Sequence, residues 1–306
     1  MFRTIFIALS ENRMIRRMAE RSAIGRKISG RFVAGMTVAD ALDATARTNA
    51  LGMSVSVDNL GENVTNVAEA KESAALYNEL LDDITERKLD ANVSMKLTHM
   101  GLDVDPALAR TIASELVDHA VRANNFVRVD MEGSPYTQKS LDLVYELHAQ
   151  PGRAGHVGAV IQAYLHRSEG DVRELCAKGI RIRLCKGAYK EKPEIAFQEK
   201  ADVDANFVKL MKILLQSGTY HGIATRDPKM IEATKAFARA ENIPPTAFEF
   251  QMLYGVRRDL QEQLVRDGWR MRVYIPFGTE WYPYLMRRLA ERPANLLFIL
   301  KNLFRR

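Results

Sequence analysis

The sequence predicts an α/β protein of the (β/α)8 TIM-type barrel class, in which eight parallel strands close into a ring and a helix follows each strand. Eight short apolar runs, each bounded by Gly, Asp, Asn or Pro, recur along the chain. Segments with apolar residues at three- and four-residue spacing lie between them, as the crossovers of a parallel sheet require. A doubly wound sheet would carry a Gly-rich turn after its first strand, and no GxGxxG motif occurs.

The eight predicted strands are rich in Val, Ile, Phe or Tyr. In chain order they are GMSVSVDN (52–59), NVSMKLT (92–98), FVRVDME (126–132), HVGAVIQAY (156–164), IRIRLCKGA (180–188), YHGIATRD (220–227), FEFQMLYG (248–255) and MRVYIPFG (271–278). The clearest helical patterns occupy 67–89, 108–124 and 231–242. No linker or low-complexity stretch divides the chain. We therefore predict one barrel domain, residues 46–306, preceded by a short N-terminal helical arm, residues 1–45.

The composition is that of an ordinary globular protein, but the charge is unevenly placed. The 306 residues are 47% hydrophobic and 27% charged. Residues 1–31 carry eight basic and two acidic side chains, which accounts for the whole net charge of +6. The remainder is neutral overall, which argues against a nucleic-acid groove in the main fold. Two roles are open for the basic arm: peripheral contact with an anionic membrane surface, or a solvated helical lid.

Three observations predict a cytoplasmic protein, peripheral on the inner face of the membrane if the basic arm binds lipid. No apolar run reaches the roughly 18 to 20 residues needed to cross a bilayer. The N-terminal MFRTIFIAL is too short for a secretory signal, and no small-residue cleavage site follows it. Cys176 and Cys185 form neither a CxxC motif nor a disulfide framework, which fits a reducing compartment.

Polar side chains occur late in otherwise apolar predicted strands. Barrel enzymes carry their active sites at the carboxyl ends of the strands. A buried polar group without a partner is costly, so each such group should have a protein partner or a ligand. Seven of the eight predicted strands carry one at the same end, and packing alone does not explain that regularity. The residues are Lys96, Asp130, Gln162, Arg183 with Lys186, Thr225, Gln251 and Tyr274.

A charged helical face follows the eighth predicted strand, within YIPFGTEWYPYLMRRLAE (274–291). Residues three and four apart share one face of a helix, so four polar side chains converge there. Paired arginines can hold a carboxylate through bidentate, charge-assisted bonds. The alternative is an ordinary Arg–Glu pair on a helix surface, and spacing alone does not choose between the two. The four residues are Tyr284, Arg287, Arg288 and Glu291.

Six segments form a recognisable set. They are SMKLT around Lys96, VDME at Asp130, VIQAY at Gln162, RLCKGAY (183–189), FEFQMLYG (248–255) and YIPFGT…YLMRRLAERPAN (274–295). Together they resemble the proline dehydrogenase family. The matching motifs run in order from LGEN (60–63) to Asn295, which is most of the chain. No aldehyde dehydrogenase region is attached, so the resemblance is to the single-function bacterial members of the family.

This resemblance implies a flavin enzyme whose FAD lies, bound non-covalently, across the strand ends without a dinucleotide-binding fold. That is consistent with the missing Gly-rich motif. Asp130 and Tyr189 are the positions implied as catalytic, and no metal is expected. The implied cofactor-binding residues are Met131, Gln162, Arg183, Lys186, Gly187, Ala188, Thr225 and Arg226.

The resemblance also implies L-proline as the substrate and Δ1-pyrroline-5-carboxylate as the product, the first step of proline catabolism. Hydride leaves proline C5 for flavin N5, and the electrons then pass to a quinone-type acceptor. Glu62, in the loop after the first strand, and Glu291 are implied as a gate, with Glu62 pairing to Arg287 over bound substrate. The implied substrate-binding residues are Lys96, Leu253, Tyr274, Tyr284, Arg287 and Arg288, the two arginines holding the carboxylate.

Two other functions compete with this interpretation. A Schiff-base barrel lyase would use Lys96 or Lys186 as an amine nucleophile, but it explains neither the arginine helix nor the aromatic residues. A non-catalytic module that docks through its basic arm leaves the strand-end polar groups unexplained. A metal hydrolase is disfavoured because the six histidines show no HExxH or similar spacing.

Overall fold

Eight parallel strands close into a barrel, and their order around the ring is their order in the sequence. The computed structural model describes Ser22, residues 29–61 and residues 64–291, the last without the side chains of residues 287–291. The ring closes where β1 pairs with both β2 and β8. The strands are β1 Ser54–Asn59, β2 Ala91–Met95, β3 Val127–Val129, β4 Val157–Gln162, β5 Arg181–Cys185, β6 His221–Ala224, β7 Phe248–Leu253 and β8 Met271–Phe277. The predicted fold class and all eight predicted strands are confirmed.

A helix follows every strand in the described part of the chain, and one more precedes β1. The helices are α1 Val38–Asn49, α2 Val67–Glu86, α3 Pro106–Arg122, α4 Ser134–Ala149, α5 Ser168–Ala177, α6 Lys200–Gln216, α7 Pro228–Ala240, α8 Arg258–Arg266 and α9 Trp281–Glu291. The helices α3 and α7 begin earlier than the apolar periodicity predicts. In both, proline occupies the first turn and an aspartate, Asp105 or Asp227, accepts hydrogen bonds from the free backbone N–H groups.

The segment before β1 is part of the barrel's packing. α1 packs on β1 and β8, and its buried Ala41, Leu42 and Ala44 belong to the hydrophobic core. Most of the predicted arm, residues 1–21 and 23–28, lies outside the described residues, so the boundary between 1–45 and 46–306 stays a prediction. No helix in the described ranges is both long and apolar enough to cross a bilayer.

Side chains alternate between two environments along each strand. Apolar residues such as Val93 and Ile182 are fully buried and pack with the helices in the hydrophobic core. The residues between them are polar and bond across the ring: Arg183 in β5 donates to Ser56 in β1 and to Ser94 in β2. Strands β1 and β2 are not neighbours of β5, so these bonds pass through the middle of the barrel. Its interior is therefore polar, whereas barrel interiors are usually filled by Val, Ile and Leu.

The polar interior continues toward the amino-terminal ends of the strands. Glu249, 2% exposed, accepts hydrogen bonds from Arg272 at 2.7 Å, from Gln251 at 2.6 Å and from Tyr220 at 2.9 Å. Burial raises the pKa of Glu249, but the charge and hydrogen bond of Arg272 outweigh it and leave that pKa below its usual value. Since Gln251 also binds Arg183, one network runs from one end of the barrel to the other.

Gly158 in β4 provides space that these long side chains need. A Cβ built on it would lie 2.3 Å from the carbonyl oxygen of Arg181 and 2.8 Å from Nη1 of Arg128. The carbonyl belongs to a neighbouring strand and moves only at the expense of strand pairing. We predict that Gly158→Ala lowers the free energy of unfolding by about 1–3 kcal/mol.

The matched control is Gly170 in α5, where a Cβ would meet nothing within 4 Å. Gly170→Ala should leave stability unchanged or raise it by up to about 1 kcal/mol, because alanine favours helix over glycine. Denaturant unfolding of both variants measures the difference. Equal midpoints for the two would contradict the tight approach at Gly158.

Candidate active site

A buried arginine lies at the centre of the polar interior, toward the carboxyl ends of the strands. The side chain of Arg183 is 8% exposed and forms an ion pair with Asp130, which directly follows β3. Its donors bond to Asp130 Oδ1 at 2.6 Å, Gln251 Oε1 at 2.6 Å, Ser94 Oγ at 3.0 Å and Ser56 Oγ at 3.2 Å. Strands from all round the ring thus contribute to holding one guanidinium in place. Four hydrogen bonds, one of them to an opposite charge, compensate the burial of this guanidinium.

Tyr274 in β8 completes this group. Its hydroxyl donates to Asp130 Oδ2 at 2.7 Å, and its ring centroid lies 5.0 Å from Cζ of Arg183. Burial, and then the negative charges of Asp130 and Asp58, raise the pKa of Tyr274 well above its usual value, so the hydroxyl keeps its proton and remains a donor. Three residues that the sequence singles out on three strands therefore form one hydrogen-bonded group.

Lys96, directly after β2, has a partner that is not among the residues predicted from the sequence. Its Nζ donates to Asp58 in β1, at 3.0 Å to Oδ2 and 3.2 Å to Oδ1. Asp58 is 1% exposed, and Tyr77 OH of α2 lies 3.3 Å from its Oδ1. Burial raises the pKa of Asp58, and the charge of Lys96 opposes that rise. The sequence does contain a sign of this role: Asp58 is a polar residue late in the first predicted strand (52–59), the one strand in which no candidate site residue was identified.

The loop after β5 lies close against the loop after β4. Gly187 has φ +117°, and a Cβ there would be 2.3 Å from the ring of Tyr164. Only glycine fits that combination of backbone conformation and close approach. The backbone N–H of Ala188 lies 3.4 Å from Gln162 Oε1, while Gln162 Nε2 donates to the carbonyl of Glu132 at 3.0 Å. These contacts bring together Gln162, Gly187 and Ala188, three of the residues predicted to bind the cofactor; that role stays a prediction.

Lys186 is held by two carboxylates. Its Nζ contacts Asp227 at 2.7 Å and also bonds Asp204 in α6, which Lys200 binds as well. Burial raises the pKa of both aspartates, but the hydrogen bonds and charge of Lys186 outweigh it and lower both values. Ion pairs with these two aspartates compensate the positive charge of Lys186. No sequence signal links Asp204 to Lys186, since it lies 18 residues further along in a helix.

The other predicted site residues in the described part surround the same end of the barrel. Thr225 directly follows β6, and its Oγ1 accepts from the backbone N–H of Asp227 at 3.1 Å. Tyr189, 36% exposed, has Cδ1 3.9 Å from where a Cβ on Gly133 would lie, in the loop after β3. The remaining members are the buried Met131 and Tyr284 and the half-buried Arg226 and Leu253.

Four predicted residues cannot be located by their side chains. Arg287, Arg288 and Glu291 belong to α9, as the helical spacing predicts, but their side chains lie outside the described residues, and so does Glu62. Within residues 29–61 and 64–291, no group of three or more His, Cys, Asp or Glu is arranged to hold a metal ion.

The fold and the site define the protein as a barrel enzyme whose active end is built from buried, compensated charges. A family model described as proline dehydrogenase matches residues 41–301. Proline dehydrogenases 1 and 2 of Bacillus subtilis (strain 168) are 38% and 39% identical to the chain, over 100% and 98% of both sequences. The proline dehydrogenase of Deinococcus radiodurans is 35% identical over 100% of this chain and 98% of its own. The chain belongs to the proline dehydrogenase family, oxidoreductases that act on a CH–NH group in the first step of proline catabolism.

Solved structures agree with the fold. Proline utilization A from Bdellovibrio bacteriovorus, in a crystal structure of the protein inactivated by N-propargylglycine, superimposes with a TM-score of 0.85 at 25% identity. The match covers 99% of this chain and 38% of that one, so the present chain spans well under half of that longer protein. The predicted family is therefore confirmed together with the predicted barrel.

The buried ion pair at Asp130 should matter far more for stability than a surface pair. Asp130→Asn removes the carboxylate charge that compensates Arg183, and breaking a buried pair in this way costs about 3–5 kcal/mol. Asp43→Asn is the control, because Asp43 pairs with Arg87 where the side chains are 64% and 44% exposed. Such a pair is worth about 0–1 kcal/mol. Denaturant unfolding should separate the two variants, and an unaffected Asp130→Asn would show that Arg183 is compensated without its carboxylate partner.

Proposed function

We propose that this chain oxidises L-proline to Δ1-pyrroline-5-carboxylate at a non-covalently bound FAD and passes the electrons to a quinone-type acceptor. The observation that carries the proposal is the hydrogen-bonded group of Asp130, Arg183 and Tyr274, which lies at the carboxyl ends of the strands in a chain of this family. A fixed cationic donor in a largely buried site suits a reaction in which a bound ring gains negative charge.

The residues at the strand ends fit a flavin. The loop at Gly187 presents bare backbone beside the ring of Tyr164, and Gln162 adds an amide at the same place. Arg183 would donate to the N5 region of the ring system, and Met131, Lys186 and Ala188 would line it through their backbones. Arg226 carries the charge suited to phosphate, with Thr225 beside it. When bound, FAD accepts the hydride that leaves proline C5.

The protein's own contribution is orientation and charge. Arg287 and Arg288 would hold the proline carboxylate, with Lys96 as a further cation whose position Asp58 fixes. Tyr274, Tyr284 and Leu253 would pack on the five-membered ring. Asp130 keeps Arg183 oriented and its charge balanced, and Tyr189 shapes the flavin pocket. The amine loses its proton to solvent before the oxidation, so the site needs no strong general base.

Closure and location complete the proposal. Glu62 would pair with Arg287 to close the site over bound proline, and Glu291 extends the same charged face of α9. The arm of residues 1–45 precedes the catalytic barrel of residues 46–306. Its basic residues would bring the protein, otherwise cytoplasmic, to the inner face of the membrane, where quinones reside.

The competing Schiff-base lyase is disfavoured by the ion pairs. Such an enzyme needs a neutral amine nucleophile. Both candidate lysines donate to carboxylates, Lys96 to Asp58 and Lys186 to Asp204 and Asp227. A lysine held in this way serves as a fixed cation.

The visible spectrum of the purified protein tests the proposed function directly. We expect flavin absorbance that L-proline bleaches under anaerobic conditions, whereas anaerobic buffer alone leaves it unchanged. Acid precipitation should release the yellow colour into the supernatant, because no covalent linkage holds it. A colourless protein, or a flavin that L-proline does not reduce, would reject the function; colour that stays on the polypeptide would reject only non-covalent binding.

Arg288→Met tests the carboxylate anchor. Removing one partner of a desolvated charge pair costs about 2–5 kcal/mol. Each 1.36 kcal/mol is about tenfold in rate, so kcat/KM for L-proline should fall by roughly 10²-fold or more. The flavin absorbance ratio should not change, because the proposed FAD contacts come from other elements.

Arg266→Met is the matched control, since Arg266 lies on α8 and pairs with Glu262 on the surface. It should leave kcat/KM unchanged. Steady-state kinetics of both variants decides the role of Arg288. If Arg288→Met behaves like Arg266→Met, Arg288 is a surface ion-pair residue and the anchor is wrong.

A further inference from the structure

A cavity of about 440 Å³ lies at the amino-terminal end of the barrel, opposite the candidate active site. Residues at the starts of the strands line it, among them Asn92 of β2, Arg128 of β3, Arg181 of β5 and Arg272 of β8. Its volume is in the range of small-molecule binding sites. None of the residues proposed above for proline or FAD lines it.

Positive charge predominates in this cavity. Four cations, Lys88, Arg128, Arg181 and Arg272, line it together with two carboxylates, Asp90 and Glu249. Glu249 is committed to Arg272 at 2.7 Å, and Asp90 lies exposed at the rim, where it accepts from Ser54 at 2.6 Å. In the part of the chain that the structure describes, neither Arg128 nor Arg181 has a carboxylate within ion-pair distance.

Two guanidinium nitrogens are buried there without an acceptor among the described residues, Nε of Arg128 and Nε of Arg181. Arg128 is 4% exposed, and its Nη1 donates to the carbonyl oxygens of Arg181 at 2.7 Å and Ala159 at 3.0 Å. Both guanidinium groups lie over the ring of Phe126, at 4.6 and 4.4 Å from its centroid. The ring holds both groups by cation–π contact, and its face is only a weak hydrogen-bond acceptor.

The pKa of Arg128 also indicates an excess of positive charge at this cavity. Burial, followed by the charges of Arg183 and Arg181, lowers the pKa of Arg128 well below its usual value. Guanidinium stays protonated in proteins, so the lowered pKa reflects positive charge around Arg128 that the carboxylate of Glu249 compensates only in part.

We propose that this cavity binds a small oxyanion, a molecule carrying a phosphate or carboxylate group, between Arg128 and Arg181. Both groups match the forked donors of arginine and form charge-assisted hydrogen bonds with them. Lys88, at the exposed rim, attracts the anion as it enters. The site is separate from the carboxylate anchor proposed on α9, which lies after the opposite end of β8.

Isothermal titration of the flavin-loaded protein with inorganic phosphate, and separately with citrate, tests the site at constant ionic strength set by chloride. We expect saturable binding of at least one of the two, phosphate marking a tetrahedral ligand and citrate a carboxylate. Arg181→Ala should weaken binding about tenfold or more, because a charge-assisted contact is lost. Arg288→Met should bind the anion as wild type does, which separates this cavity from the proline site.

One further variant tests the rim of the cavity. Lys88→Asn removes only the rim charge; asparagine tolerates the left-handed backbone at this position, where φ is 53°, so the variant should fold. It should weaken binding less than Arg181→Ala does. Absence of binding by wild type, or equal affinity in Arg181→Ala, overturns the proposal. If Arg181→Ala does not fold, unchanged affinity in Lys88→Asn overturns it.

Discussion

A full positive charge inside a closed barrel has to be compensated from within the ring, and Arg183 imposes that requirement on its surroundings. The cost of removing a charge from water is several kcal/mol unless ion pairing and hydrogen bonds replace the lost hydration. Asp130 provides the opposite charge, and Ser56, Ser94 and Gln251 provide neutral acceptors. The inward positions of the strands are consequently polar, and the apolar burial that stabilises the fold lies between the strands and the helices.

Buried positive charge also has to be compensated at the amino-terminal end of the barrel. Gln251 links Arg183 to Glu249, which is bound in turn by Arg272. Near the amino-terminal ends of the strands arginines outnumber carboxylates, so that end of the barrel carries an excess of positive charge. At the carboxyl ends, aspartates balance the charges of Arg183 and the two lysines. The two ends of one barrel are thus electrostatically different, which is why a second anion site is proposed at the end without catalytic residues.

Ion pairs also hold side chains in place at the carboxyl ends of the strands without any bound ligand. Lys96 and Lys186 are held by carboxylates on neighbouring elements, and Gly187 allows the backbone to pass against Tyr164. Groups fixed in this way need little reorganisation during the reaction, which is the main route by which a polar site lowers a barrier. In the proposed reaction the cofactor's ring accepts the hydride, so the protein's own residues would position that ring and stabilise the charge it gains.

The sequence by itself determined the eight strands, their order, the barrel class and the polar groups at the carboxyl ends of the strands. These follow from local periodicity and capping, which act over a few residues. It did not identify Asp204 as a partner of Lys186, and the polar alternation inside the barrel, visible as Val-Ser-Val-Asp in β1, was not recognised. Which charges meet was decided only by the tertiary structure: Arg183 bonds Ser56 from 127 positions away. The two residues meet because the ring closes, and the number and stagger of its strands set the spatial distance across it. No local sequence pattern encodes that distance.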